Sequence, residues 1–544
     1  MDRRRFLSLA FTDDKEPLKV TTTLKEWVPD AANPWDADAV QHLYHRLGFG
    51  AKKSDITLAL STTPSSLIDM LMDDELVTTG MPEPPAGWQE WLWGVPYLGP
   101  DYPTQHAEDN LQHDAKTDIR IWWTMMMADS RLQVRERLTL FWHNHFVVEE
   151  LKVYFVAHFF RYFQYLRSHA WGNFRQMAKE ITILPAMLKY LDGLWSEKGR
   201  LNENYARELM ELFTMGTHDR YGNQNYTQED VRMVAAAVTG WRFRFEEPAP
   251  NTIPPYFADY YFDFETKTTP FGAEAKVYGL SLSNDKRITG DIIDVMFEKR
   301  AEAISWHIAK KVYQEFVYKG DIPEGAEPII KEMADIFWES GFELKPMLVK
   351  LFKSEHFFDK TFRGAAIKSP YEYIVGTLRK LDFNLTIDET GSLHWYAHDN
   401  GQFLGNPTNV KGWEGYRVWL NSGTFPKRIT MISRDITIGA GINPRGLNPH
   451  DGLIYDGIPW KNENIFLWAS QFSSFDSGTF EEFVRDLGKF LCALPLSDEH
   501  VTSIIEQSGL IHTYEWHTIS KESRIGIVRK VTYDIMRSAE FQLA

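Results

Sequence analysis

Apolar residues recur at intervals of three and four over most of this chain, and that spacing predicts helices. Leu67, Ile68 and Leu71 fall on one side of a helix that Thr63 caps and Pro64 opens. Asp36 to Leu47 reads as another, with aspartates at its start and Gly48-Phe-Gly50 at its end. Helical spacing continues through Asp118 to Phe146, Tyr154 to Arg167, Phe174 to Ile181 and Ala186 to Leu191. Val231, Val234, Ala235 and Val238 form the stripe of a helix capped by Thr227, with Asp230 in its third position. Ile304, Ile308, Val312 and Phe316 line up along Arg300 to Val317.

Three stretches break the pattern. Between residues 81 and 103, prolines alternate with Trp88, Trp91, Trp93 and Tyr97, which predicts an ordered irregular loop packed on the body, a candidate aromatic lid. Between 243 and 290, Tyr256-Phe-Ala-Asp-Tyr-Tyr-Phe-Asp-Phe264 suits a short strand or hairpin. Gly401 to Gly415 is a glycine-rich loop holding Lys411 and Trp413, without the spacing of a phosphate-binding loop. Lys353-Ser-Glu-His-Phe357 and Arg537-Ser-Ala-Glu-Phe541 are a faint internal echo. The expected fold is mainly α: an N-terminal arm, 1–35, then one large multi-helical bundle, 36–544, with a minor β element near 243–290.

Two segments put polar groups inside apolar helical patterns, Arg135 to Phe146 and Asn202 to Gly216. In the second, Glu203, Arg207 and Glu211 fall four apart and share one face. That face is either a site or an ion-pair ladder between helices. A charge in a helix contact costs several kcal/mol unless it is paired, so His143 or His145 is expected against the Glu203 to Glu211 helix, with Arg207 on a glutamate.

Charge and cysteine content narrow the function. A formal charge of −16 repels nucleic acid and anionic membrane, and the single Cys492 excludes multi-cysteine metal sites. No stretch reaches 18 uninterrupted apolar residues. Arg3, Arg4, Phe6 and Leu7 resemble the front of a twin-arginine export signal, although Thr12-Asp13-Asp14-Lys15 cuts its apolar run short. A periplasmic or secreted location is expected, with the cytoplasm as the alternative.

For a divalent metal the candidate ligands are His143, His145, Glu208, Glu211 and His218. His143 and His145 diverge by about 200° on a helix, so at most one of them serves a given ion. Glu208 and Glu211, three apart, can converge as a carboxylate pair, with His143 as a third catalytic candidate. Trp88, Trp91, Trp93, Lys411 and Trp413 are the ligand-binding candidates. No nucleophile elbow appears, and Cys492 reads as core.

Several segments, in order, carry a resemblance: His42-Leu-Tyr-His-Arg-Leu-Gly-Phe-Gly50, Phe141-Trp-His-Asn-His-Phe146, Pro185 to Asp192, Asn202 to Phe213, Tyr226 to Val231, Thr239-Gly-Trp241, Lys368-Ser-Pro370, Val410-Lys-Gly-Trp413 and Ser538-Ala-Glu-Phe541. The chain resembles the domain-of-unknown-function 1800 family of bacterial proteins. That resemblance implies a mostly helical, often exported protein encoded beside sulfatase-like proteins of the domain-of-unknown-function 1501 family, with no established activity to carry over. One departure is the lack of a His-Asp pair after the aromatic strand, where this chain reads Phe262-Asp-Phe-Glu-Thr-Lys-Thr268. The expectation is an exported or envelope-associated protein, either a metal-assisted or carboxylate-based enzyme on an extracellular substrate or a non-enzymatic binding component working with a partner.

Overall fold

The computed structural model describes residues 20–73, 105–243, 256–263, 271, 292–383, 393–431, 462–510 and 516–544. The Pro/Trp segment with Trp88, Trp91 and Trp93, the basic start and most of 243–290 lie outside the described residues. Helix dominates, as the spacing predicts.

The chain opens with three helices, α1 (Ala37–Leu47), α2 (Lys53–Leu60) and α3 (Pro64–Leu71). Asp36 caps the first by accepting from the Ala39 N–H at 2.9 Å, and Thr63 caps the third by accepting from Ser66 N–H. Helix α1 is anchored by long-range bonds: His42 Nε2 donates to the Phe357 carbonyl at 2.8 Å, and Arg46 to that of Phe362 at 2.6 Å.

Helix α5 (Gln133–His145) is the hub. It packs against α1, against α4 (Gln105–Ala128) and against α6 (Val156–Ser168), and every residue of it except Asn144 is buried. Burial on all sides forces each polar side chain to find a partner. Glu136 takes a bidentate pair from Arg167 at 2.6 and 2.9 Å. Arg135 stacks 3.8 Å over the Trp171 ring, and Arg137 bridges Glu315 and Glu372, each at 2.8 Å.

Next come α7 (Phe174–Ile183), α8 (Pro185–Tyr190), α9 (Glu203–Glu208) and α10 (Gln228–Ala237). Thr227 and Asp230 form the expected capping box, and Val231, Val234 and Ala235 are fully buried. Residues Leu209–Thr214 continue α9 as a π-helical turn, which the i+4 reading of this segment does not foresee. The one sheet among the described residues pairs β1 (Trp241–Arg242) antiparallel with β2 (Tyr256–Phe257). The aromatic run is less of a strand than expected, since Asp259–Tyr261 turns into a 3₁₀ helix.

Helices α11 (Ile292–Lys299), α12 (Ala301–Phe316), α13 (Glu327–Glu339) and α14 (Leu344–Phe352) follow, with α12 and α13 in extensive contact. Helix α15 (Pro370–Lys380) is buried along its whole length and touches α4 and α16 (Leu393–Asp399). A connected hydrophobic core runs from Leu24 to Leu543. The internal echo has a shared physical meaning. In both copies a serine just past a helix end accepts from the N–H three residues on: Ser354 from Phe357 at 3.1 Å, Ser538 from Phe541 at 3.3 Å. Both phenylalanines are buried, and both offer their carbonyls to buried basic side chains, His42 and Lys368.

Candidate active cavity

Three elements meet around a cavity of about 270 Å³: the end of α5, one face of α12, and the glycine-rich loop. Helix α5 contributes Arg137, Phe141, Asn144 and His145. Lys311 and Glu315 of α12, with Lys319 just beyond it, fall four apart and so share the face that lines the cavity. The loop supplies Lys411, Trp413 and Glu414, with Ser369, Gln402 and Trp419 completing the wall.

The loop is held by α5 side chains. Trp413 N–H donates to Asn144 Oδ1 at 2.7 Å, and Gly405 N–H donates to His143 Nε2 at 3.0 Å. Gly405 and Gly412 have φ of +82° and +86°, and a Cβ at either would run into Phe159 or Asn144, so this close approach needs glycine.

The π turn holds two of the lining side chains, His145 and Lys311. A chain wound with five-residue bonds leaves its last carbonyls unsatisfied, and side chains fill the gap. Phe213 carbonyl accepts from His145 Nε2 at 2.9 Å. The Leu212 carbonyl accepts from Lys311 Nζ at 3.1 Å and from His307 Nε2 at 3.3 Å. With its Nε2–H committed, His145 presents a bare Nδ1, which accepts from Lys311 Nζ at 3.1 Å.

Arg137 and Lys319 are both neutralised, by Glu315 and Glu372 and by Glu315 respectively. Lys311 is different. No carboxylate among the described residues lies within ion-pair distance of it, and burial pushes its pKa down to about 8. The side chain stays partly accessible through the cavity it lines. In the same wall Arg137 Nε and Trp419 Nε1 are buried donors with no partner among the described residues.

Of the candidates read from sequence, Lys411, Trp413 and His145 line the cavity. His143 does not. It is wholly buried, Nδ1 donating to Tyr162 Oη at 3.0 Å while Nε2 accepts from Gly405, and burial pushes its pKa down to about 3. Both of its nitrogens are used in holding the loop, so neither is open to an ion or a substrate proton. Glu208 and Glu211 are half-buried beside one another outside the cavity lining. Glu211 accepts from Tyr226 Oη at 3.2 Å, and the Glu208 pKa is raised by burial and then by Glu211, with Lys411 opposing. His218 is exposed and bonded to Thr217 Oγ1. The five metal candidates are thus not brought together, and among the described residues no three His, Cys, Asp or Glu side chains converge.

His145 does lie against the continuation of the Glu203 helix, but on its carbonyls rather than its carboxylates. Among the described residues Arg207 does not pair with a glutamate. It donates to Gln228 Oε1 at 3.0 Å, and Gln228 in turn donates to Glu203 at 2.8 Å. The physical reason is exposure: this face is only partly covered by α10, so the charges stay solvated and the ion pair that full burial would demand is not required. Sequence reading missed Lys311, Arg137, Lys319 and Trp419. The available signal was the four-residue spacing of Lys311, Glu315 and Lys319 beside the apolar stripe of α12.

No curated protein and no solved structure is matched by this chain. The family model described as "Protein of unknown function (DUF1800)" matches residues 42–543, a span that holds α5, α12, the π turn and the glycine-rich loop, and the chain belongs to that family.

Proposed function

We propose that the protein is an enzyme that binds and acts on a small anionic molecule in the cavity between α5, α12 and the 401–415 loop. One observation supports this most: Lys311 lines the cavity as a cation without a carboxylate partner among the described residues, in a chain of formal charge −16. An unpaired buried ammonium is costly, and a protein retains one where a ligand completes the pairing. Lys411 adds a second cation at the rim, and the Trp413 and Trp419 rings add apolar walls. Glu208, whose raised pKa suits proton donation, stands near enough to Lys411 to serve a substrate that extends past the rim.

Calorimetric titration with inorganic phosphate, acetate and oxalate tests the reading. Saturable binding that Lys311→Met weakens by about tenfold, the loss of one charge-assisted contact, is the expected result. No binding by any of the three overturns it.

We further propose that the protein is exported and works beside a sulfatase-like protein of the domain-of-unknown-function 1501 family, on the support of Arg3-Arg4-Arg5-Phe6-Leu7 and of family membership. Fractionation of cells and co-purification from the envelope fraction test both parts.

A further inference from the structure

The cavity reading above leaves open what Lys311 does to its ligand. We propose that Lys311 is a nucleophile that forms an imine with the carbonyl carbon of a small aldehyde or ketone carrying a carboxylate.

The hydrogen bonds around Nζ carry this. Both neighbours are pure acceptors: His145 Nδ1, bare because Nε2–H is given to Phe213, and the Leu212 carbonyl. A neutral amine has two hydrogens and one lone pair. Two acceptors take the two hydrogens, and the lone pair is left for the side of the group that lines the cavity. The ammonium, which dominates below about pH 8 and is the form that holds an anion, has a third N–H without a protein acceptor and no carboxylate among the described residues to balance its charge, so the neutral, nucleophilic form is reached at lower pH than in an exposed lysine. Burial, which lowers the pKa to about 8, acts in the same direction. Arg137 and Lys319 cannot substitute, being held in ion pairs with Glu315 and Glu372. Lys411, at the rim and without an ion pair among the described residues, is placed to hold the substrate carboxylate.

The step balances without any oxidant or reductant. The Nζ lone pair forms the C–N bond as the carbonyl π pair moves to oxygen, giving a carbinolamine. The two nitrogen protons pass to that oxygen in turn, with water as carrier, the first giving the neutral carbinolamine and the second letting the oxygen leave as water, so that an aldehyde or ketone and an amine become an imine and one water. The imine then draws electrons from the adjacent carbon, which opens proton exchange, carbon–carbon cleavage or decarboxylation next to the former carbonyl.

Reductive trapping on the full-length protein tests the proposal. The protein is treated with glyoxylate and sodium cyanoborohydride, and carboxymethyl-lysine is mapped by peptide mass spectrometry. Lys311 is expected to be modified at least about tenfold faster than Lys25, which is largely solvent-exposed. Lys311→Arg should lose that label while Lys25 labelling and the melting temperature stay unchanged. If Lys311→Arg fails to fold, protection of Lys311 in the wild-type protein by acetate, which has no reactive carbonyl, supplies the second measurement. Labelling of Lys311 no faster than that of Lys25, or without protection, overturns the proposal. Anion binding without selective labelling sinks the imine and spares the cavity reading, whereas absence of both sinks the two together.

Discussion

Asn144 grips the backbone of Trp413 from both sides, its Oδ1 accepting from the Trp413 N–H at 2.7 Å and its Nδ2 donating to the Trp413 carbonyl at 3.4 Å. It is the one residue of α5 that is not buried, and it spends its amide on a loop 269 positions away. Asn144→Ala should lower stability by about 1–3 kcal/mol, the cost of stranding the Trp413 groups. Limited proteolysis should then cut first within 401–415, and anion affinity should fall with it. An unchanged cleavage pattern would show that the loop is held by something else.

His143 is a structural clamp on this account. Replacing it by alanine removes a buried ring and leaves the Gly405 N–H without an acceptor, for a loss of about 3–5 kcal/mol. Urea denaturation measures this. A loss below about 1 kcal/mol would mean that the bonds to Tyr162 and Gly405 matter little, and would return His143 to the catalytic candidates.

Arginines 137 and 207 make a contrasting pair. Arg137→Ala strands the buried Glu372 carboxylate, while Glu315 keeps Lys319, and should cost about 3–5 kcal/mol. Arg207→Ala breaks one bond to Gln228 on a half-exposed face and should cost under about 1 kcal/mol. Equal losses would contradict the burial difference on which both figures rest.

The pH dependence of Lys311 has a definite sign. Its folded pKa, about 8, lies below the ordinary 10.5, so between those values the unfolded chain binds more protons and stability rises with pH. Below about pH 8 the amine is protonated in both states and the cost of burying it, about 3 kcal/mol at most, is fully present. His145 from α5 and His307 from α12 face the amine and are neutral in this range, since burial lowers both. Lys311→Met should therefore gain stability relative to wild type at pH 7 and lose that advantage by pH 10.5. Comparing the two proteins cancels the other lysines. A difference in melting temperature that does not move between pH 7 and 10.5 would refute the lowered pKa.

Local signals in the chain were readable, and long-range ones were not. Thr227 with Asp230, Thr63 with Pro64, and Asp36 before α1 announce helix starts because caps act within four residues. Lys411 and Trp413 stood out as a cation and an indole in a glycine-rich loop, although Trp413 also packs into the core, its ring 5.4 Å from that of His143. Arg137 gave no sign of its partners, since Glu315 and Glu372 are far along the sequence and only folding brings them together. Lys311 was invisible for the opposite reason: what marks it is a missing partner, and sequence does not show absences in space.

A π turn is an α-helix carrying one residue more than its bonding needs. Deleting a single residue from Leu209–Thr214 would let the segment relax into ordinary α winding, a locally better helix, while the chain on either side keeps nearly the same rotational phase. The Leu212 and Phe213 carbonyls would then swing away from His145, His307 and Lys311. The more regular chain would have the poorer cavity, so the extra residue is what turns those two carbonyls outward to His145, His307 and Lys311, and a shortened sequence would be expected to fold well and bind badly.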